Sequence, residues 1–110
     1  MNKVRTFSHY TAVAISLLGK QIQLSRKERK WSEHELALRA GISRTTLQKI
    51  EKGDFHCCIG LVFEVAALVN IPLFDANSTE LSQYIQQANK QLTLLPKSVR
   101  NTNQDVDDDF

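Results

Sequence analysis

Residues 41–53 of the chain have the sequence GISRTTLQKIEKG, in which two glycines bracket a short segment of mixed polarity. Three apolar residues recur at helical spacing in this segment, Ile42, Leu47 and Ile50. The positions between them carry hydrogen-bond donors, namely Ser43, Arg44, Thr45, Thr46, Gln48 and Lys49. The pattern predicts a short helix that seats its apolar side on a core and presents donors on its free side.

A second helix is predicted directly before this segment. Ser32 is followed three residues later by Glu35, which is the spacing of a capping box that satisfies two free amides of a first helical turn. Gly41 can adopt the left-handed conformation that ends a helix, and Ser43 can cap the next one. Residues 32–53 therefore predict a helix, a tight turn and a second helix, which is the helix-turn-helix arrangement.

Helical patterns extend to both sides of this motif. A first helix is predicted from about residue 8 to residue 30, where the charged run RKERK ends it. Residues 57–71, CCIGLVFEVAALVNI, are apolar around nearly the whole circumference of a helix. Since such a helix must be buried on every side, it needs either a second copy of the chain or a central place in a monomeric core.

A last helix is predicted to begin at Asn77, which can form a capping box with Glu80. Its apolar residues recur in steps of three and four and form a stripe, Leu81, Tyr84, Ile85, Ala88, Leu92 and Leu95. Such a stripe packs on another helix, in the same chain or across a dimer. After Pro96, residues 97–110 predict a mobile tail because they hold few apolar residues and four aspartates.

Composition and charge bound the class of protein. A chain of 110 residues with 42% hydrophobic residues is expected to fold around one modest core. Two cysteines make no disulfide framework, and no signal peptide or membrane span is recognised, so we expect a soluble, cytoplasmic protein. Residues 20–53 hold nine basic and four acidic side chains, whereas residues 54–110 hold three and eight. This asymmetry favours a polyanion partner for the first part; the alternative is a basic face that is merely solvated.

The donors of residues 43–49 suit the major groove of DNA, which accommodates one α-helix. Arg44 or Lys49 can bond guanine, Gln48 can bond adenine, and the methyl group of Thr45 can contact thymine. Thr46 lies directly before Leu47, which is expected to face the core, so Thr46 is expected to face the DNA backbone.

Residues 17–75 closely resemble the Xre/Cro-type, lambda-repressor-like helix-turn-helix family. The matching positions are Leu18, Gly19, Ile22, Leu24, Arg26, Trp31, Ser32, Glu35, Leu36, Ala37, Gly41, Ile42, Ser43, Leu47, Ile50, Glu51, Gly53, Ala66 and Ile71. The resemblance implies an all-α, five-helix domain that binds operator DNA, usually as a two-fold dimer. It implies base-reading roles for Ser43, Arg44, Thr45, Gln48 and Lys49. We assign phosphate contacts to Ser32, Arg39, Thr46 and Lys52.

One position departs from that family. Where the family often has a Gln that meets a phosphate and braces the first reading residue, this chain has Glu33. A carboxylate repels phosphate, so we expect Glu33 to act through the positive end of the helix dipole instead.

The C-terminal segments QLTLLPKSVR and VDDDF resemble the tails of HipB-type antitoxins. Such antitoxins dimerise, bind their own operator and hold a HipA-type kinase toxin. An acidic tail ending in an aromatic ring suits a basic partner, with contacts from Asp107, Asp108, Asp109 and Phe110; the alternative is a solubilising disordered tail.

The predicted organisation is an N-terminal extension (1–15), the DNA-binding domain (16–76), a C-terminal helix for dimer or partner contact (77–96) and the tail (97–110). The predicted dimer interface comprises Leu61, Phe63, Leu68, Tyr84 and Ile85.

Neither metal binding nor catalysis is indicated by the residues of the chain. His56, Cys57 and Cys58 are adjacent, whereas zinc ligands are usually separated by two or more residues. No phosphate-binding glycine loop or nucleophile motif is present, so we predict no metal, no cofactor and no enzymatic activity.

The predicted function is a dimeric repressor of its own operon that also holds a kinase toxin. The alternative is a stand-alone Xre-family regulator.

Overall fold

The computed structural model of the protein describes residues 6–97. This part of the chain folds into five helices and contains no strand: α1 (His9–Glu28), α2 (Glu33–Ala40), α3 (Arg44–Glu51), α4 (Ile59–Leu68) and α5 (Ser78–Thr93). The all-α, five-helix prediction is confirmed. The chain divides into two compact units, of which the first ends at Phe74 and contains α1–α4, and the second begins at Asp75 and contains α5.

The first four helices end in the same way. Each is followed by a residue with a positive φ angle: Lys30 (62°), Gly41 (70°), Gly53 (80°) and Asn70 (63°). After α2, for example, the amide of Ile42 donates to the carbonyl of Ala37 at 3.0 Å, which is the bond of a Schellman motif. Gly41 therefore ends α2 as predicted, Gly53 takes the same conformation after α3, and the turn between α2 and α3 is tight.

The starts of α2 and α5 differ in their capping. Asn77 and Glu80 form the predicted capping box, with both of its reciprocal hydrogen bonds present. At α2 only half of the predicted box forms, because the Ser32 hydroxyl accepts from the Glu35 amide at 3.0 Å while the Glu35 carboxylate accepts from Arg39 at 2.7 Å. The nearby guanidinium outcompetes the Ser32 amide for that carboxylate.

The core of the first unit lies where α1 to α4 meet, and its buried apolar residues are Ile22, Leu36, Ala37, Leu47, Ile50, Val65, Ala66 and Val69. Helix α1 approaches the end of α3 closely at Gly19, where an added Cβ would lie 2.5 Å from the carbonyl oxygen of Glu51. A buried ion pair joins the same two helices, with Arg26 Nε 2.7 Å from Glu51 Oε2 and Arg26 Nη2 3.1 Å from Glu51 Oε1. Arg26 also donates to the carbonyl oxygen of Trp31, which follows α1.

Helix α4 begins at Ile59 rather than at Cys57. Ile59 is 73% exposed and Phe63 is 40% exposed, so the alternative of a central place in the core is wrong for its own unit, whereas burial by a second copy of the chain stays a prediction. Cys57 is half-buried against the core, and this burial raises the pKa of its thiol. Cys58 is exposed at the N-cap of α4.

Helix α5 is amphipathic but has no buried residue. Tyr84, Ile85 and Leu92 on its apolar stripe are each more than half exposed. Leu95, predicted to belong to this stripe, lies beyond the end of α5 at Thr93. Across residues 6–97, no helix combines the length and hydropathy that a membrane span requires.

Candidate nucleic-acid interface

Helix α3 is held in a single orientation by its apolar side. Leu47 is fully buried and Ile50 is nearly so. At its start, Ser43 is the N-cap, and its hydroxyl accepts a hydrogen bond from the Thr46 amide at 3.0 Å. Because one side of α3 is committed to the core and its N-terminus is capped, the opposite side is presented to solvent in a defined direction.

All five residues predicted to contact bases lie on the solvent side of α3 or at its N-cap. Ser43, Arg44, Thr45 and Lys49 are exposed, and Gln48 is half-buried. Arg44 and Gln48 are one helical turn apart, so their side chains lie on the same face. Ser43, Arg44, Thr45, Gln48 and Lys49 thus form a row of donors on the free side of α3, called the donor row below. The role of each donor at DNA stays a prediction.

Glu33, the first residue of α2, brings two of these donors together. Its Oε1 atom accepts from Arg44 Nη2 at 3.0 Å and from Gln48 Nε2 at 2.9 Å. We expected Glu33 to act only through the helix dipole, and that expectation was incomplete. The signal that identifies this contact is the family's bracing Gln at the same position, since a carboxylate accepts the same hydrogen bonds.

The two hydrogen bonds also set the charge state of Glu33. The donors of Gln48 and Arg44 stabilise the carboxylate and hold the pKa of Glu33 below its usual value. Glu33 is therefore ionised at neutral pH, and a negative charge lies in the middle of the donor row.

The predicted phosphate contacts surround this row. Ser32 is the N-cap of α2, Thr46 lies in the first turn of α3, and Lys52 is the exposed C-cap of α3. The guanidinium of Arg39 lies 4.2 Å from the centroid of the Trp31 ring and also donates to Glu35. Its position is therefore fixed by a cation–π contact that sequence analysis did not identify.

The predicted dimer residues fall into two groups. Leu61 and Leu68 are half-buried and pack against the core of their own unit. Phe63 is exposed, and its ring lies 6.3 Å from that of Phe74, which is also exposed. Tyr84 and Ile85 are exposed on α5. The outward apolar surface of the first unit thus includes Phe74 and the neighbouring α4 residue Ile59, which sequence analysis did not select.

Part of the predicted site lies outside the described residues, namely the tail residues Asp107, Asp108, Asp109 and Phe110. Within residues 6–97, no three side chains of His, Cys, Asp or Glu are grouped as metal ligands.

Residues 22–56, which contain α2 and α3, match a protein-family model described as helix-turn-helix. Proteins of this type place the second helix of the motif in the major groove of DNA. The match, which covers about a third of the chain, therefore indicates a DNA-binding transcription regulator. No curated protein and no solved structure matches the chain.

Proposed function

We propose that this helix-turn-helix chain is a dimeric, cytoplasmic transcription regulator that represses transcription by binding a two-fold symmetric operator. In this proposal α3 enters the major groove. Arg44, Gln48 and Lys49 contact base edges, together with Ser43 and Thr45. The observation that carries the proposal is the donor row on the free side of α3, where Arg44 and Gln48 are held by one carboxylate. A solvated surface helix does not require its longest donors to be held in place, whereas a base-reading helix does.

The phosphate contacts in this proposal come from the ends of α2 and α3. Ser32 and Thr46 lie near helix N-termini, which favour anions, and Lys52 and Arg39 supply positive charge. Such contacts set the position of the protein on the duplex without selecting a sequence.

Dimerisation is supported by exposed apolar surface in both units. On the first unit, Phe63 and Phe74 form an exposed aromatic pair beside Ile59. On α5, four apolar residues are spaced by four, three and four positions, as in the seam of a coiled coil: Leu81, Ile85, Ala88 and Leu92. An isolated amphipathic helix of 16 residues is marginally stable in water, so a second copy of α5 would stabilise it. We propose that both surfaces contribute to the dimer.

Selection of duplexes from a random library, followed by binding measurements on the selected sequence, tests this function. We expect half-sites whose centres are about one helical turn apart, or a multiple of that distance. Arg44→Ala is expected to lose preference at one base pair, whereas Lys52→Ala weakens binding to all sequences alike. Lys20→Ala, a change to an exposed residue of α1 that lies outside the proposed contacts, is the control. Selection of no sequence by the unchanged protein would refute the proposal.

A more specific proposal follows from the resemblance to HipB-type antitoxins: the same protein binds a HipA-type kinase toxin through residues 97–110. It is supported by the acidic composition of this segment, which ends in Asp107, Asp108, Asp109 and Phe110. Co-purification of a kinase encoded beside this gene with the full chain, and its loss on deletion of residues 97–110, is the expected result. Undiminished co-purification after the deletion would remove the tail from the proposal. Absence of any kinase would favour a stand-alone regulator.

A further inference from the structure

We propose that the negative charge of Glu33 makes it a specificity-determining residue of this DNA interface: the carboxylate holds Arg44 beside the bases and thereby weakens binding to non-cognate DNA, which an uncharged glutamine at this position does not do. This inference rests on the proposed DNA-binding function and concerns what the carboxylate adds to the bracing role that the resembled family gives to a glutamine at this position. It is carried by the geometry of three side chains that belong to two different helices.

The contact fixes which end of the Gln48 amide faces Glu33. A carboxylate only accepts hydrogen bonds, so the nitrogen of Gln48 faces it, at 2.9 Å from Glu33 Oε1. One N–H of that nitrogen and the amide oxygen then stay available. These are the donor and the acceptor that adenine requires at N7 and N6. Glu33 therefore holds Gln48 in the amide orientation that suits adenine.

Arg44 keeps most of its donors while it is held. One of its terminal nitrogens, Nη2, lies 3.0 Å from Glu33 Oε1, and the side chain is 60% exposed. A guanidinium has five N–H groups in a planar fork, so an edge is left to contact the O6 and N7 atoms of guanine. The ion pair thus restricts the orientation of the Arg44 guanidinium and leaves most of its N–H groups available.

The charge of Glu33 adds discrimination against incorrect sequences. If Arg44 left Glu33 to bind a phosphate, an unpaired carboxylate would stand beside the DNA polyanion. On the correct sequence Arg44 contacts a base while it stays near Glu33, so the carboxylate stays paired and the repulsion is avoided. If Arg44 binds a phosphate of an incorrect sequence, no base contact offsets the repulsion between the unpaired carboxylate and the DNA. The expected effect is weaker binding to non-cognate DNA rather than tighter binding to the operator.

The test compares Glu33→Ala with Glu35→Ala in the full chain. Both residues are in the first turn of α2 and both are ion-paired with an arginine, but Glu35 bonds Arg39 of its own helix and does not touch α3. Each variant is used to select duplexes from a random library. Dissociation constants are then measured on the selected operator and on a scrambled duplex.

We expect Glu33→Ala to lose roughly fivefold or more of the discrimination at the base pairs contacted by Arg44 and Gln48, the lower end of what a good base contact supplies. Glu35→Ala removes the same charge, so it should tighten binding to both duplexes while the base preferences are kept. Glu33→Gln retains an acceptor without the charge, and we expect it to restore the base preferences but not the weak binding to scrambled DNA.

Two results overturn the inference in distinguishable ways. If Glu33→Gln tightens binding to the operator and to the scrambled duplex by the same factor, as is expected of Glu35→Ala, the charge of Glu33 does not discriminate between sequences, although the proposed function stands. If the unchanged protein binds no duplex selectively, the proposed function fails and the role of Glu33 fails with it.

Discussion

Helix α3 takes part in two arginine–glutamate pairs that have the same chemistry and opposite surroundings. At its C-terminal end, Glu51 pairs with Arg26 of α1 through two hydrogen bonds, and the two side chains are only 5% and 6% exposed. At its N-terminal end, Arg44 pairs with Glu33 of α2 through one hydrogen bond, and these side chains are 60% and 30% exposed. The first pair cannot be reached from solvent, whereas the second can exchange partners.

Burial therefore determines what each pair does. A buried ion pair that loses one partner leaves an uncompensated charge in the core, so the Arg26–Glu51 pair constrains how α1 and α3 assemble. An exposed pair contributes little to stability because water solvates both charges. Arg44 and Glu33 are thus available for another role, which we propose is the recognition of base pairs.

The largest predicted effect is on the buried pair. Glu51→Gln preserves the shape of the side chain and leaves Arg26 without a counter-charge, so we expect a loss of about 3–5 kcal/mol in the free energy of unfolding. Urea denaturation followed by circular dichroism measures it. Glu33→Gln, the matched change in the exposed pair, is expected to leave the denaturation midpoint unchanged. Equal losses in the two variants would show that burial does not separate the pairs.

A smaller loss is predicted for Gly19→Ala, which acts on the contact between α1 and α3 near the buried pair. The new Cβ would lie 2.5 Å from the carbonyl oxygen of Glu51, so the helices must separate. We expect a destabilisation of roughly 1–3 kcal/mol. Gly60→Ala in α4 is the control, since a Cβ there meets no atom within 4 Å. Alanine is a better helix former than glycine, so this control should gain stability. A neutral Gly19→Ala would contradict the close approach of the helices.

The exposed pair should be visible in the titration of Glu33. The hydrogen bonds from Gln48 and Arg44 lower the pKa of its carboxyl in the folded protein. The resulting stabilisation is present above the pKa of the unfolded chain and is lost as the pH falls through the folded pKa, on the acid side of the usual glutamate range. Side-chain carboxyl shifts in NMR spectra measure the midpoint. We expect Gln48→Ala and Arg44→Ala each to raise it; a midpoint unmoved by both variants would argue against the contact in solution.

The smallest predicted effect concerns the turn that connects the helices of Arg26 and Glu33. Lys30 has a φ of 62°, a left-handed conformation that disfavours residues with a side chain. Lys30→Gly should stabilise the protein by roughly 0.5–1 kcal/mol, because relief of this conformation exceeds the entropic cost of glycine. Thermal unfolding measures the gain. Lys27→Gly, inside α1, should be destabilising. A loss of stability in Lys30→Gly would mean that the lysine side chain makes a contact that offsets its backbone conformation.

The sequence by itself determined the helices and the polarity of α3. Gly41 and Gly53 mark helix ends because left-handed turns favour glycine, and Leu47 and Ile50 mark the buried face because their spacing matches the helical repeat. These are local properties, which depend on residues within a few positions of each other. For the same reason the pattern located the donor row from Ser43 to Lys49 without any knowledge of the surrounding helices.

The tertiary structure alone decided which partners meet across helices. Glu33 is 11 residues from Arg44, and Arg26 is 25 residues from Glu51; no local periodicity relates such positions. Composition showed the apolar run of α4 but not that Ile59 and Phe63 would stay exposed in their own unit, since burial depends on how many neighbours a helix acquires. The sequence alone gives the sign of each side-chain charge. Whether a charge is buried and structural or exposed and exchangeable depends on packing, because packing sets how strongly water screens it.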